Sequence, residues 1–188
     1  NAPAAGGRFL EVAVSPSWLD SRDLLGHVNA LQRRFEPAES GLLPHLIAAH
    51  EEHARGGSAS GLYLVMLDEM NLAHVEHYFS PFLQSLERPQ GERELRVFDR
   101  RSVNPASALL PWATLSLPES LRFVGTVNFD ETTKQLSGRL LDRANLSVLR
   151  PQRSGDLAGA AGGEPPQLIQ GPPVTLGLYR SWQRLAPL

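Results

Sequence analysis

The sequence predicts an α/β fold with a mostly parallel sheet. Two runs rich in apolar residues, 62–67 and 121–127, lack strict alternation, which is typical of strands that are buried on both faces of a parallel sheet. Segments whose apolar residues recur every three or four positions alternate with these runs, as helices do in α/β folds. The 188 residues are expected to form one domain with its own core, alone or together with part of a second domain.

The elements before the first buried strand are a strand and two helical segments. Residues 9–15 alternate, and Pro16 ends this strand. Residues 18–35 are expected to be helical in part, because apolar side chains recur there at helical spacing. These side chains are Leu24, Leu25, Val28 and Leu31. A longer helix is predicted over residues 40–55, where Pro44 falls in the first turn.

The strand at 62–67 leads into an irregular helix and a hairpin. Apolar residues at helical spacing extend from Leu72 to Leu86, and Pro81 within this pattern predicts a kink or a local irregularity. Residues 93–99 and 113–117 each alternate and are joined by a link that contains Ser, Asn and Pro, which predicts an inserted hairpin.

The strand at 121–127 is followed by the remaining predicted elements. A short helix over 137–144 and a strand over 146–149 complete a predicted core that spans residues 1–150. Gly, Pro and Ala are frequent in residues 151–173 and predict a flexible linker. Residues 174–188 are expected to begin a further helix.

Composition excludes several classes of site. The chain has no cysteine, so disulfides, thiolate nucleophiles and cysteine metal sites are absent. Lys134 is the only lysine and follows Glu-Thr-Thr, so the sequence contains no GxxxxGK[ST] phosphate loop. No apolar run is long enough to span a membrane, and we expect a cytoplasmic protein. The start at Asn1 without an initiator methionine suggests a fragment of a longer polypeptide.

Charge is distributed in blocks along the chain. Residues 36–87 carry eight acids and one arginine, whereas residues 88–153 carry eleven basic and seven acidic side chains, within a net charge of −2. A solvated surface is one explanation of such blocks. A basic segment that contacts a polyanion is the other.

Polar side chains stand at the ends of the two buried strands. Asp68 and Glu69 follow the first, and Asn128 follows the second. At the carboxyl edge of a parallel sheet, one acid can hold Mg²⁺ and another can orient or deprotonate an attacking water. The alternative is structural: the acids cap the next helix, and the asparagine forms a turn.

Several motifs resemble those of the AAA+ NTPases of the McrB-like group, which includes the motor subunits of modified-DNA restriction systems. The motifs are LDEMNLA (67–73), VEHYF (75–79), FL (82–83), VGTVNFDETT (124–133) and LLDRA (140–144). Trp18 with RDLLG (22–26) resembles the stretch that precedes them in that group. The resemblance covers residues 9–150.

The resemblance implies a partial P-loop NTPase core that lacks the Walker A strand and most of the helical lid. In it, Asp68 would be the Walker B acid at the magnesium site, and Glu69 would activate water for attack on the γ-phosphate. Asn128 would be the sensor that positions this water. Arg143 is the candidate arginine finger for a neighbouring subunit, and Arg139 is the second candidate. A salt bridge is the alternative for either arginine.

Cofactors and partners follow from the same resemblance. It implies Mg²⁺ with ATP or GTP, a ring of identical subunits, a nuclease subunit and DNA, and it implies no membrane. Residues 93–117 match the position of a hairpin that contacts substrate or partner in related motors. Because the phosphate loop has no counterpart here, we expect this polypeptide alone to bind nucleotide weakly or not at all and to be inactive. The missing strand should leave an open sheet edge, with swapped dimers or displacement of residues 146–149.

A second function class stays open from the residues alone. In it the chain is a non-catalytic α/β interaction module, the acids cap a helix, and the basic segment 88–122 binds a protein or DNA partner. A GxxxxGK[ST] motif after a strand immediately upstream would decide for the motor.

Overall fold

A computed structural model describes residues 7–128, 133–142, 144–148 and 174–185. The elements follow one another as β1 (Phe9–Ala13), α1 (Ser21–Leu25), β2 (Gly26–Asn29), β3 (Arg34–Pro37), α2 (Leu42–Gly56), β4 (Tyr63–Asp68), α3 (Val75–Tyr78), α4 (Ser80–Leu86), β5 (Glu94–Arg96), β6 (Thr114–Ser116), β7 (Leu121–Gly125), α5 (Gly138–Leu141) and α6 (Leu176–Leu185). The chain divides into two compact units, residues 1–136 with 174–188 and residues 137–173.

The first unit is built on a three-stranded parallel sheet with the order β1-β4-β7. The central strand β4 pairs through Val65 with Leu10 of β1 on one side and with Phe123 of β7 on the other. Side chains of β4 alternate between buried and half-buried, so one face of this strand is fully covered and the other, which was predicted to be buried as well, is covered only in part. The prediction of an α/β fold with a parallel sheet is therefore confirmed.

The helix expected within residues 18–35 is short, and a hairpin replaces its second half. Asp20 and Asp23 form a capping box at the start of α1. Gly26 ends the helix with φ of 118°, and a Cβ there would lie 2.3 Å from the carbonyl oxygen of Glu36. Antiparallel strands β2 and β3 follow, with Val28 opposite Phe35. The prediction that residues 18–35 are helical in part is confirmed, but Val28, which was counted in the helical pattern, lies on a strand because the close backbone approach at Gly26 starts a hairpin.

The predicted long helix is present, and the predicted irregularity near Pro81 takes the form of a break between two helices. Helix α2 buries Leu42, Leu43, Leu46 and Ala49 on one side. The chain after β4 forms two helices, α3 and α4, which are separated at Phe79, and Pro81 lies in the first turn of α4. A proline there has no hydrogen-bonded N–H to lose, so it starts the second helix rather than bending a continuous one.

The predicted inserted hairpin is formed by the antiparallel pair β5 and β6, in which Leu95 faces Leu115. It packs against the first hairpin through a cluster centred on Phe35 and Phe98, whose rings stack at 4.6 Å between centroids. Leu43 of α2, Val103 and Ala113 complete the buried part of this cluster. The two hairpins therefore form one packed body on the first unit.

A carboxylate ties α2 to the start of β4. The guanidinium of Arg8 donates to both oxygens of Glu52 at 2.9 and 3.2 Å. Glu52 also accepts from the Gly61 N–H at 2.8 Å and from the Tyr63 hydroxyl at 2.9 Å. The hydrogen bonds from Arg8 are the largest of the effects that lower the pKa of Glu52 from 4.5 to about 2. This carboxylate is thus held charged at neutral pH.

The last predicted elements differ in outcome. Helix α6 is confirmed, and Arg180 within it pairs with Glu119. In the second unit, α5 is shorter than predicted and is capped by Ser137. The strand predicted over 146–149 is wrong for the described residues 146–148, which form no strand and leave Leu146 and Val148 exposed. The predicted linker at 151–173 lies outside the described residues.

Among the described helices, none has both the length and the apolar character that crossing a membrane requires.

Candidate functional site

The carboxyl ends of β4 and β7 meet because the two strands are parallel neighbours. The paired residues of the two strands end at Leu67 and Gly125. Two further backbone hydrogen bonds join the segments that follow the strands. The N–H of Thr126 donates to the carbonyl of Leu67 at 3.0 Å, and the N–H of Met70 donates to the carbonyl of Thr126 at 2.9 Å. The residues that follow each strand are thereby held side by side, as the sequence predicts.

Thr126 connects the two acids at this edge. Its hydroxyl donates to Oδ1 of Asp68 at 2.6 Å and accepts from the backbone N–H of Glu69 at 2.8 Å. The half-buried Asp68 carboxylate is thereby oriented through one of its oxygens. The sequence gives only a weak indication of this role, a hydroxyl residue directly after an apolar strand.

Glu69 has a backbone conformation that is rare for its residue type. Its φ of 50° and ψ of 47° lie in the left-handed region, which costs a residue with a Cβ about 1 kcal/mol or more. Its side chain is exposed, and one oxygen accepts a hydrogen bond from the amide of Asn128 at 3.1 Å. Strained residues that are held by surrounding contacts are common at functional sites.

Asn71 fixes the loop that carries the predicted sensor. Its buried side-chain amide donates to the backbone carbonyl of Asn128 at 2.7 Å and to that of Lys134 at 3.2 Å. Its amide oxygen accepts from the Asn128 N–H at 3.3 Å. A buried asparagine whose polar atoms are all engaged determines the position of both backbone segments that it joins.

Met70, which follows the two acids, lies against the glycine that ends β7. A Cβ on Gly125 would lie 2.0 Å from Sδ of Met70, so a larger residue at position 125 would require this flexible side chain to move. The carbonyl of Met70 accepts from the buried hydroxyl of Tyr78 at 2.8 Å. Burial raises the pKa of that hydroxyl, which therefore stays a donor. Trp18 packs edge-on against Tyr78 at 5.3 Å between ring centroids.

Neither acid caps a helix. Glu69 occupies the N-cap position of a short 3-10 helix, Met70–Leu72, but its side chain makes no capping hydrogen bond. The carboxylate of Asp68 bonds to Thr126 instead of to a helix N–H. His74, which precedes α3, makes no side-chain cap either. The capping explanation of the Asp-Glu pair is therefore wrong for the described residues.

The donor set at this edge suits a hard cation that also binds phosphate. In the described part of the chain, no three His, Cys, Asp or Glu side chains lie close enough to enclose a metal ion. Mg²⁺ does not need such a cage, since it keeps several waters and is held by one or two carboxylates together with substrate phosphates. Asp68 with the neighbouring Thr126 hydroxyl fits this mode of binding.

The side chains of the two predicted arginine fingers lie outside the described residues. Arg139 lies on α5, but its side chain is outside the described residues, and so is all of Arg143. Their assignment as arginine fingers stays a prediction.

A groove of about 700 Å³ runs along the outer edge of β1 and contains none of the site residues. Its lining includes three acids, Glu11, Asp23 and Glu39, and no basic residue. Such a lining repels phosphate, so this groove is a poor candidate for a nucleotide site.

Comparisons with protein-family models, with curated proteins and with solved structures each find no match for this chain.

Proposed function

We propose that this chain is the Walker B and sensor part of an NTP-hydrolysing core of the McrB-like AAA+ type, acting within a longer polypeptide. The observation that carries the proposal is the hydrogen bond between Glu69 and Asn128, formed where two parallel strands end, beside the oriented carboxylate of Asp68. A base, an amide that fixes the base and a cation-binding acid are the groups that NTP hydrolysis requires at this position.

In the proposed reaction, Glu69 aligns the attacking water and accepts its proton. Asn128 holds one carboxylate oxygen, and among the described residues no protein donor occupies the other, which leaves that oxygen for water. Asp68, oriented by Thr126, would hold Mg²⁺. When bound, Mg²⁺ would neutralise negative charge on the β- and γ-phosphates.

The open edge of β7 agrees with a missing phosphate-binding strand. Within the described residues β7 pairs with β4 alone, and Val124 is 49% exposed. An apolar strand with a free edge is an unusual arrangement, since such edges invite pairing. The proposal puts the strand of a Walker A loop at this edge, and it puts the loop beside Asp68. The partners of the parent would then be identical ring subunits, a nuclease subunit and DNA.

The experiment is Glu69→Gln in the full-length parent. Loss of the base should lower ATP or GTP turnover by at least about 100-fold while nucleotide affinity changes little. Glu51→Gln on the exposed side of α2 makes the same chemical change elsewhere and should leave turnover unaltered. Unchanged turnover in Glu69→Gln would refute the assignment.

A non-catalytic interaction module is the second candidate. The observation that favours it is the number of exposed arginines within the inserted hairpin, on β5 and on the loop between β5 and β6. Absence of a GxxxxGK[ST] motif in the parent, upstream of this chain, would decide for it.

A further inference from the structure

Five exposed arginines lie on the two packed hairpins and share no residue with the sheet-edge site. We call them the arginine surface: Arg33, Arg34, Arg96, Arg100 and Arg101.

Backbone contacts join the two parts of this surface. The N–H of Asn104 donates to the carbonyl of Arg33 at 2.7 Å, and the Arg33 guanidinium donates to the carbonyl of Arg101 at 3.2 Å. The stacked rings of Phe35 and Phe98 lie beneath. Arginines from segments 68 positions apart in the sequence are therefore held together by the fold.

Positive charge on the surface is only partly neutralised. Glu36 pairs with Arg34 at 3.2 Å, and Asp99 pairs with Arg96 at 3.5 Å. Within the described residues, the other three arginines have no carboxylate partner within salt-bridge distance. The guanidinium groups of Arg100 and Arg101, and the N–H groups of Arg33 that do not contact the Arg101 carbonyl, thus remain available for an external anion.

A cavity beside these groups carries further polar side chains. It measures about 360 Å³ and is lined by Arg33 and Arg34 from the first hairpin and by Asn104 and Ser107 from the loop. Arg33 itself has φ of 48°. Its two backbone-directed contacts hold this left-handed conformation, which positions the arginine at the rim of the cavity.

We infer that the arginine surface binds the phosphodiester backbone of nucleic acid without reading its sequence. Guanidinium forks match phosphate oxygens in geometry as well as in charge. An acidic protein would need an apolar interface core, since stable protein interfaces bury roughly 800 Å² per partner. Leu31, which is 98% exposed, is the one large apolar side chain fully exposed at the tip of the first hairpin. Nucleic acid is therefore the better match.

The inference makes no use of Asp68, Glu69 or Asn128, so it can fail or hold independently of the proposed hydrolysis.

The test is fluorescence anisotropy of the whole chain with two labelled DNA duplexes of unrelated sequence, titrated between about 50 and 200 mM salt. Equal affinity for both duplexes is expected. The variant Arg33→Asn with Arg101→Gln should weaken binding by at least about tenfold near 0.1 M salt and reduce the salt slope by about 2. Asparagine is chosen at position 33 because it tolerates the left-handed backbone.

The matched control is Arg22→Gln with Arg55→Gln, which removes two exposed charges from α1 and α2. It should change affinity much less. Equal weakening by both pairs would overturn the inference, and so would absence of binding or equally tight binding of polyglutamate. If the first variant fails to fold by circular dichroism, Arg100→Gln alone decides, with an expected loss of about 1 in the salt slope.

Discussion

The left-handed backbone conformation of Glu69 predicts which of two replacements, glycine or alanine, gives the more stable protein. Glycine pays no steric cost at φ of 50°, whereas alanine keeps the strain of about 1 kcal/mol. Both replacements lose the hydrogen bond from Asn128, so this loss cancels when the two are compared. Glu69→Gly should therefore be about 1 kcal/mol more stable than Glu69→Ala.

The assay is urea unfolding of the whole chain at neutral pH. Glu51, which is exposed on α2, provides a control of opposite sign, because glycine in a helix interior is about 1 kcal/mol less stable than alanine. If Glu69→Gly is no more stable than Glu69→Ala while the Glu51 pair behaves as expected, the strained conformation at the site is refuted.

Three further predictions concern the site and the core. Thr126→Val removes the hydroxyl between Asp68 and the Glu69 N–H and should lower the free energy of unfolding by about 1 kcal/mol in the same urea assay. Glu52 has its pKa lowered from 4.5 to about 2, so its stabilisation is complete above pH 4.5 and is lost as the pH falls towards 2. The loss amounts to roughly 3 kcal/mol before solvent screening and about half of that with it. Glu52→Gln should flatten this part of the pH dependence. Calorimetry of the chain alone should detect weak or no binding of ATP or GTP. Stoichiometric binding at micromolar concentration would contradict the proposal that nucleotide binding needs a phosphate loop, which this sequence does not contain.

The main sheet and the long helix could be predicted because their residues carry strong patterns. Strand β4 is apolar up to its last residue, Asp68, and α2 has an apolar face at helical spacing. The first hairpin was not predictable from spacing alone. Val28 and Leu31 fit a helical period. In the structure, however, Val28 lies on β2, and Leu31 lies after this strand and is almost fully exposed. The capping box at Asp20 and the glycine at position 26 were the signals for a short helix.

The convergence of Asp68, Glu69 and Asn128 was predictable because neighbouring parallel strands end at one sheet edge. The roles of Thr126 and Asn71 were not. Each depends on the register between β4 and β7 and on which side chain is buried, and these are tertiary properties that no local pattern specifies.

The most direct test of the proposed hydrolytic site is turnover by the double variant Glu69→Gln with Asn128→Ala in the full-length parent. Each single variant should lower kcat, the first by at least about 100-fold. Because the amide acts through the carboxylate that it holds, the double variant should be no slower than Glu69→Gln alone. Independent, multiplicative losses would contradict this coupling, and turnover at the level of the unaltered parent would contradict the site itself.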